Sequence, residues 1–224
     1  MYLSLYWKSW TTPREWVVPR FIIGAVNLAI FTLIEATGFA HAAEVAGVRV
    51  AMDARVGGVE LELNGAGLRQ RFMTDVYVIG LYFREPKTSA EAAISDAGPK
   101  RIALTFKRDV TAQALVEALH EGIRDNTSEP EFARLQASTQ ALAAVMLPLQ
   151  IAKKGDVVAL DYVPDAGAQV VMNGRAIGAA IPGLDMYSAL LKIWLGDPPV
   201  DADLKRALLR GPLARKLLAG DRNK

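Results

Sequence analysis

The chain has 224 residues, with 26 Lys plus Arg against 24 Asp plus Glu, a formal net charge of +2. Hydrophobic residues make up 51% and charged residues 22%; this composition buries a core and excludes global disorder, and the balanced charge argues against a nucleic-acid partner held on a basic face. Cysteine is absent and the histidines are His41 and His120 alone, which excludes disulfides, thiol nucleophiles, iron–sulfur clusters and Cys- or multi-His metal sites, and no loop spaces carboxylates for a cation.

The first 20 residues carry Lys8, Arg14 and Arg20 against Glu15. An apolar run, Phe21 to Ile34, follows, and small residues end in Ala40-His41-Ala42-Ala43. Basic start, short apolar run and A-x-A site are the three parts of a secretory signal. The run is shorter than the about 20 residues of a spanning helix. Residues 1–42 are therefore read as a signal peptide cleaved after Ala42, and a bacterial periplasm is the expected destination. An uncleaved anchor, helped by Trp7, Trp10 and Trp16, is the other reading. The mature chain, 43–224, has neither repeat nor long linker and is expected to form one domain over 43–213, with a solvated tail at 214–224.

Along that domain the first half reads as strands. Val48 to Arg55 has β character, and Gly57-Gly58 is a turn. Val59 to Leu63 alternates with period two. Asn64-Gly65 predicts a hairpin turn, with Leu68 to Met73 as the returning strand. Val76 to Phe83 is apolar on both faces, as in a central strand covered on both sides, and Arg101 to Phe106 is another strand. Thr111 then caps a helix with Leu115, Val116, Leu119 and Ile123 on one face. Ser128, Pro130 and Glu131 start a second helix with a capping box. Strands resume at Val157 to Val163 and Gln169 to Met172, and Asn173-Gly174 turns into Arg175 to Ile181. Helices at Leu184 to Leu195 and Asp201 to Leu209 close the chain. Strands, helices, strands, helices is an α+β order.

The stretch Asn64-Gly65-Ala66-Gly67-Leu68-Arg69 draws attention as a site. Leu68 and Arg69 point to opposite faces of a strand. An inward Arg69 needs an anion, and its planar fork suits a carboxylate or an enolate-like oxygen; an outward Arg69 is a surface arginine beside Arg71. Tyr77 and Tyr82 are hydroxyl donors for a cleft or core tyrosines, with the core reading preferred for Tyr82. Gly80 leaves room for a neighbouring element or a ligand. His120, on a helix beside Val116 and Ile123, reads as a packed or edge residue. Trp194 reads as a core anchor.

Together these residues resemble the chalcone isomerase-like family in its bacterial exported branch. The resemblance covers roughly 48–210. It rests on Leu63-Asn64-Gly65-Ala66-Gly67-Leu68-Arg69, Val76-Tyr77-Val78-Ile79-Gly80-Leu81-Tyr82, Arg108-Asp109-Val110, Asn173-Gly174 and Leu190 to Pro199. It implies an open-faced β-sandwich, a large antiparallel sheet covered on one face by helices, with a cleft between. It also implies two functions. The plant enzymes close a chalcone to a flavanone without a cofactor, whereas relatives of the same fold bind fatty acids. In both, the strand arginine that Arg69 matches receives the ligand's negative oxygen. The enzymes' other polar positions fall on Tyr77, near Ala112 and Leu119, and on Ile193, which are apolar here except Tyr77. The expectation is thus a binding protein for a small amphipathic carboxylate or another planar, apolar ligand, with Arg69, Tyr77 and Asn64 as ligand-binding residues, no cofactor and no metal. An isomerase (intramolecular lyase) acting through Arg69 and Tyr77 is the alternative. Haem binding, reported for some mitochondrial relatives, would here use His120 and is a third reading.

Overall fold

The computed structural model describes residues 42–211. Of the stretch read as a signal peptide, 1–42, all but Ala42 lies outside the described residues, as does the tail at 214–224. Eleven strands and five helices occur among those residues. Strands β3 (Asp53–Val56), β4 (Val59–Arg71), β5 (Thr74–Phe83), β6 (Lys100–Phe106), β9 (Val157–Val163), β10 (Gly167–Met172) and β11 (Arg175–Ile181) form one seven-stranded sheet, in the order β11-β10-β9-β6-β5-β4-β3. Every pairing is antiparallel. Strands β1 (Ala42–Val45) and β2 (Val48–Ala51) make a separate hairpin, and β7 (Val110–Thr111) pairs with β8 (Ile151–Ala152).

The helices α1 (Ala90–Ile94), α2 (Ala112–Asp125), α3 (Glu129–Met146), α4 (Leu184–Leu195) and α5 (Ala202–Leu208) start at side-chain caps, except α4, which follows Gly183. Thr111 accepts from the Ala114 N–H and Ser128 from the Glu131 N–H, as the sequence predicts. The reciprocal half of the capping box does not form. Glu131 instead reaches Lys192 of α4 at 2.8 Å, tying α3 to α4. The helices bury one face of the sheet through Ile79, Leu81, Phe83, Leu104, Leu119 and Trp194. The opposite face holds a second, smaller core, in which Val78 and Tyr82 meet Val50, Met52, Leu61 and Leu63. Strand β5 is therefore central and covered on both sides. No helix among the described residues is long and apolar enough to cross a membrane.

Three local readings change. Val48 to Arg55 is not one strand but β2 and β3, divided at Met52. Asn64-Gly65 is not a turn. Strand β4 runs straight through it, with a register shift between Leu63 and Gly65 opposite β5. The extra residue reverses the alternation, so Leu61, Leu63, Ala66 and Leu68 all join the smaller core. The true turn is Phe72-Met73, where both residues have positive φ (48° and 60°). Gly65 and Gly67 serve the close approach of α5. A β-carbon on Gly65 would overlap the carbonyl oxygens of Ala207 and Leu208, and one on Gly67 would overlap the Leu204 side chain.

Candidate functional site

The bulge in β4 decides where Arg69 points. With Leu68 packed in the smaller core, Arg69 turns to the helix-covered face, directly opposite Tyr77 of β5. A cleft of about 360 Å³ opens there between the sheet and the helices. Its floor is Arg69, Tyr77, Leu104 and Phe106. One wall is α2, through Leu115, Leu119 and Gly122. The other is Ile193 and Trp194 with the segment Pro198-Pro199-Val200. Aromatic and aliphatic surface makes up the larger part of the lining, as in a small-molecule site; the α2 wall also carries the carboxylates Glu121 and Asp125, and a set of polar groups gathers around Arg69.

Those polar groups are ordered. The Trp194 Nε1–H donates to the Tyr77 hydroxyl oxygen at 3.0 Å. Tyr77 also meets Phe106 edge to face, with ring centroids 6.1 Å apart. Burial raises the Tyr77 pKa, with Trp194 and Arg69 opposing, so the phenol stays protonated across the physiological range. Its oxygen accepts from Trp194, and its proton has no acceptor among the described residues. That proton is free for a ligand oxygen. Arg69 Nη1 donates to the Gln70 carbonyl and lies 3.5 Å from Oδ2 of Asp201. Asp201 uses its other oxygen to cap α5, accepting from the Leu204 N–H at 3.0 Å. A lone 3.5 Å contact is a loose pairing compared with the two-pronged fork that arginine forms on a carboxylate. On the α2 wall, Asn126 Nδ2 donates to the Gly122 carbonyl, while its Oδ1 is buried with no donor. That oxygen packs against Gly196, where a β-carbon would overlap it.

Arg69 and Tyr77 are thus brought together at the cleft, and Leu119 and Ile193 line it. Asn64 is not part of it. Its carboxamide is 2% exposed and fully engaged, donating to the carbonyls of Lys87 and Leu208 and accepting from the Lys87 N–H. It locks the β4 bulge to α5 and the loop after β5, a structural role in place of the expected ligand contact. His120 lies on the α3 side of α2, exposed, with its ring edge-on to Phe132 at 5.1 Å. It borders a groove of about 450 Å³ between α2 and α3, whose lining holds Glu117 and Glu121 and no cation. That lining offers no cation to pair haem propionates, so the residues present there do not fit that group. No cluster of three potential metal ligands occurs among the described residues. Sequence reasoning missed Asp201 and Asn126, and it placed Trp194 in the core without its bond to Tyr77. Asp201 carries a signal as a helix cap, but nothing local links it to Arg69.

The chalcone isomerase-like family profile matches residues 42–210. Among solved structures, a fatty-acid binding protein from Arabidopsis thaliana superposes with a TM-score of 0.57 at 14% identity, over 77% of this chain and 96% of that one. No curated protein matches by sequence. That degree of likeness shows the fold, and the profile match spans the sheet, both cores and the cleft: the chain belongs to the chalcone isomerase-like family.

Proposed function

We propose that this protein binds a small amphipathic carboxylate, its acid group on Arg69 and Tyr77 and its apolar body along the cleft, and that it does so in the periplasm after export. The observation that carries this reading is the pairing of Arg69 and Tyr77 across β4 and β5 on the floor of a mostly apolar cleft. A guanidinium and an unspent phenol proton make a two-donor seat for one oxyanion. The fatty-acid binding function of the Arabidopsis thaliana protein of this fold supports the same ligand class. The export segment supports the compartment. Asp201 holds Arg69 until an acid arrives, and the 3.5 Å contact is loose enough to exchange.

The test is organic extraction of natively purified protein with mass spectrometry, followed by titration of a series of saturated fatty acids. Bound acid and at least tenfold weaker binding in Arg69→Ala are expected. Wild-type affinity in Arg69→Ala would overturn the anchor. Turnover of a chalcone or another enone acid, lost in both Arg69→Ala and Tyr77→Phe, would assign an intramolecular lyase instead.

A further inference from the structure

The end of the sheet that carries the β4–β5 turn differs from the rest of the surface. Phe72 and Met73 are 89% and 97% exposed, the most exposed large hydrophobics among the described residues. Both occupy positive-φ positions that ordinarily select Gly, Asn or Asp. Folding alone does not favour large apolar side chains in water on a strained backbone, so a use outside the folded core is the physical reason to look for. The Lys107 N–H bonds the Val76 carbonyl, which marks where β6 stops pairing with β5. The hairpin therefore projects about three residues, or roughly 10 Å, beyond its neighbour.

The charges around this tip have one sign in excess. The turns at this end of β4, β5, β6, β9, β10 and β11 carry Arg71, Lys107, Arg108, Lys153, Lys154 and Arg175. Their acids are three, and all are engaged. Asp75 pairs with Lys107 at 3.0 Å. Asp109 accepts from the Lys154 N–H, and Asp156 from the Lys153 N–H and the Asn173 amide. Arg71 lies over the Phe72 ring, 5.5 Å from its centroid. Among the described residues Arg71, Arg108, Lys153, Lys154 and Arg175 make no ion pair.

We propose that this end of the sheet docks on an anionic bilayer, with Phe72 and Met73 seated at the acyl boundary and the surrounding cations on the lipid headgroups. An apolar wedge ringed by unpaired cations is the complement of an anionic interface. The roughly 10 Å projection matches the about 5–10 Å depth of interfacial insertion. Arg71 and Val76 belong both to this hairpin and to the cleft lining. Docking therefore brings this side of the cleft against the membrane, where an amphipathic acid can pass between lipid and protein. That passage rests on the acid-binding reading; the docking does not.

The full chain contains no cysteine, so Met73→Cys carries an environment-sensitive fluorophore at one position only. With vesicles of phosphatidylglycerol and phosphatidylcholine, a blue shift, a several-fold rise in emission and quenching by a lipid-tethered quencher are expected. The same label on Ala166→Cys, exposed on the β9–β10 turn at the other end of the sheet, is expected to stay in water. Lys153→Glu with Lys154→Glu should weaken the response at position 73 at least threefold. Phe72→Ser with Met73→Ser should abolish vesicle docking and leave fatty-acid affinity in vesicle-free solution unchanged, which separates failure of docking from failure of acid binding. A label at 73 that stays in water on these vesicles overturns the proposal. So does an equal response on pure phosphatidylcholine, or burial of the label without vesicles at raised protein concentration, which would mark a contact between copies.

Discussion

The two faces of the sheet each carry a strand arginine facing an aspartate, and the two pairs behave differently. On the face away from the helices, Arg101 of β6 grips Asp161 of β9 with both prongs, at 2.5 and 2.6 Å. On the helix face, Arg69 of β4 meets Asp201 through one contact at 3.5 Å. Shielding does not explain the difference, since the two arginine side chains are 18% and 23% exposed. A hollow does not explain it either, because one of about 200 Å³ borders Arg101. The pairing explains it. Asp161 stands directly across the ladder from Arg101, so backbone register presents a carboxylate to the fork. Asp201 comes from a helix cap with one oxygen already committed, so Arg69 keeps donors to offer. A satisfied charge holds the sheet together, and an under-satisfied one at a cleft is available to a ligand.

Breaking the tight pair should have the largest effect. Asp161→Ala leaves Arg101 without its partner and should cost about 3–5 kcal/mol of stability, read from the midpoint of chemical denaturation. A loss under about 1 kcal/mol would put the two arginines in the same class and remove the contrast.

A third shielded cation sharpens the point through pH. Lys100 is fully buried, bonded to the Asp96 carbonyl and placed 4.7 Å over the Tyr162 ring. Desolvation pulls its pKa down to about 8, with Asp96 opposing. Its folded pKa lies below its unfolded one, so the cost of burying the charge is carried in full below pH 8. That cost is relieved as pH rises from about 8 toward 10.5. Compared with Lys100→Met, the wild type should gain on the order of 2 kcal/mol between pH 7 and 10. Parallel stability curves for the two proteins would refute this.

Arg69→Ala should show the reverse profile of Asp161→Ala. Stability should change by less than about 1 kcal/mol, while fatty-acid affinity falls at least tenfold, or about 1.4 kcal/mol. Equal losses in both measurements would make Arg69 a structural residue. The smallest effect is expected from Asp201→Asn. Asparagine still caps α5 but no longer competes for Arg69, so acid binding should tighten about threefold in calorimetric titration. Weaker binding would mean that Asp201 positions Arg69 instead of occupying it.

Much of the fold is legible along the chain because local rules govern it. Thr111 and Ser128 announce helix starts, since a helix terminus needs acceptors wherever it forms. Gly57-Gly58 and Asn173-Gly174 announce hairpins, and the alternation of Val76 to Phe83 announces a strand with two buried faces. The errors fall where tertiary demand overrides local preference. Asn64-Gly65 has turn chemistry, yet the chain stays extended there because α5 needs a close approach and Asn64 a buried set of partners. Phe72-Met73 has no turn chemistry, yet the chain reverses there.

The same division holds for the site. Sequence by itself determined the α+β order, the scarcity of reactive side chains and the family resemblance that singles out Arg69, because composition, period and motif spacing are one-dimensional properties. Only the tertiary structure decided which way Arg69 faces, since one extra residue in β4 reverses the alternation. It also decided that Tyr77, Trp194 and Asp201 meet that arginine from a neighbouring strand, a distant helix and a helix cap. Such contacts follow from how sheet and helices pack, and no local segment of the chain encodes them.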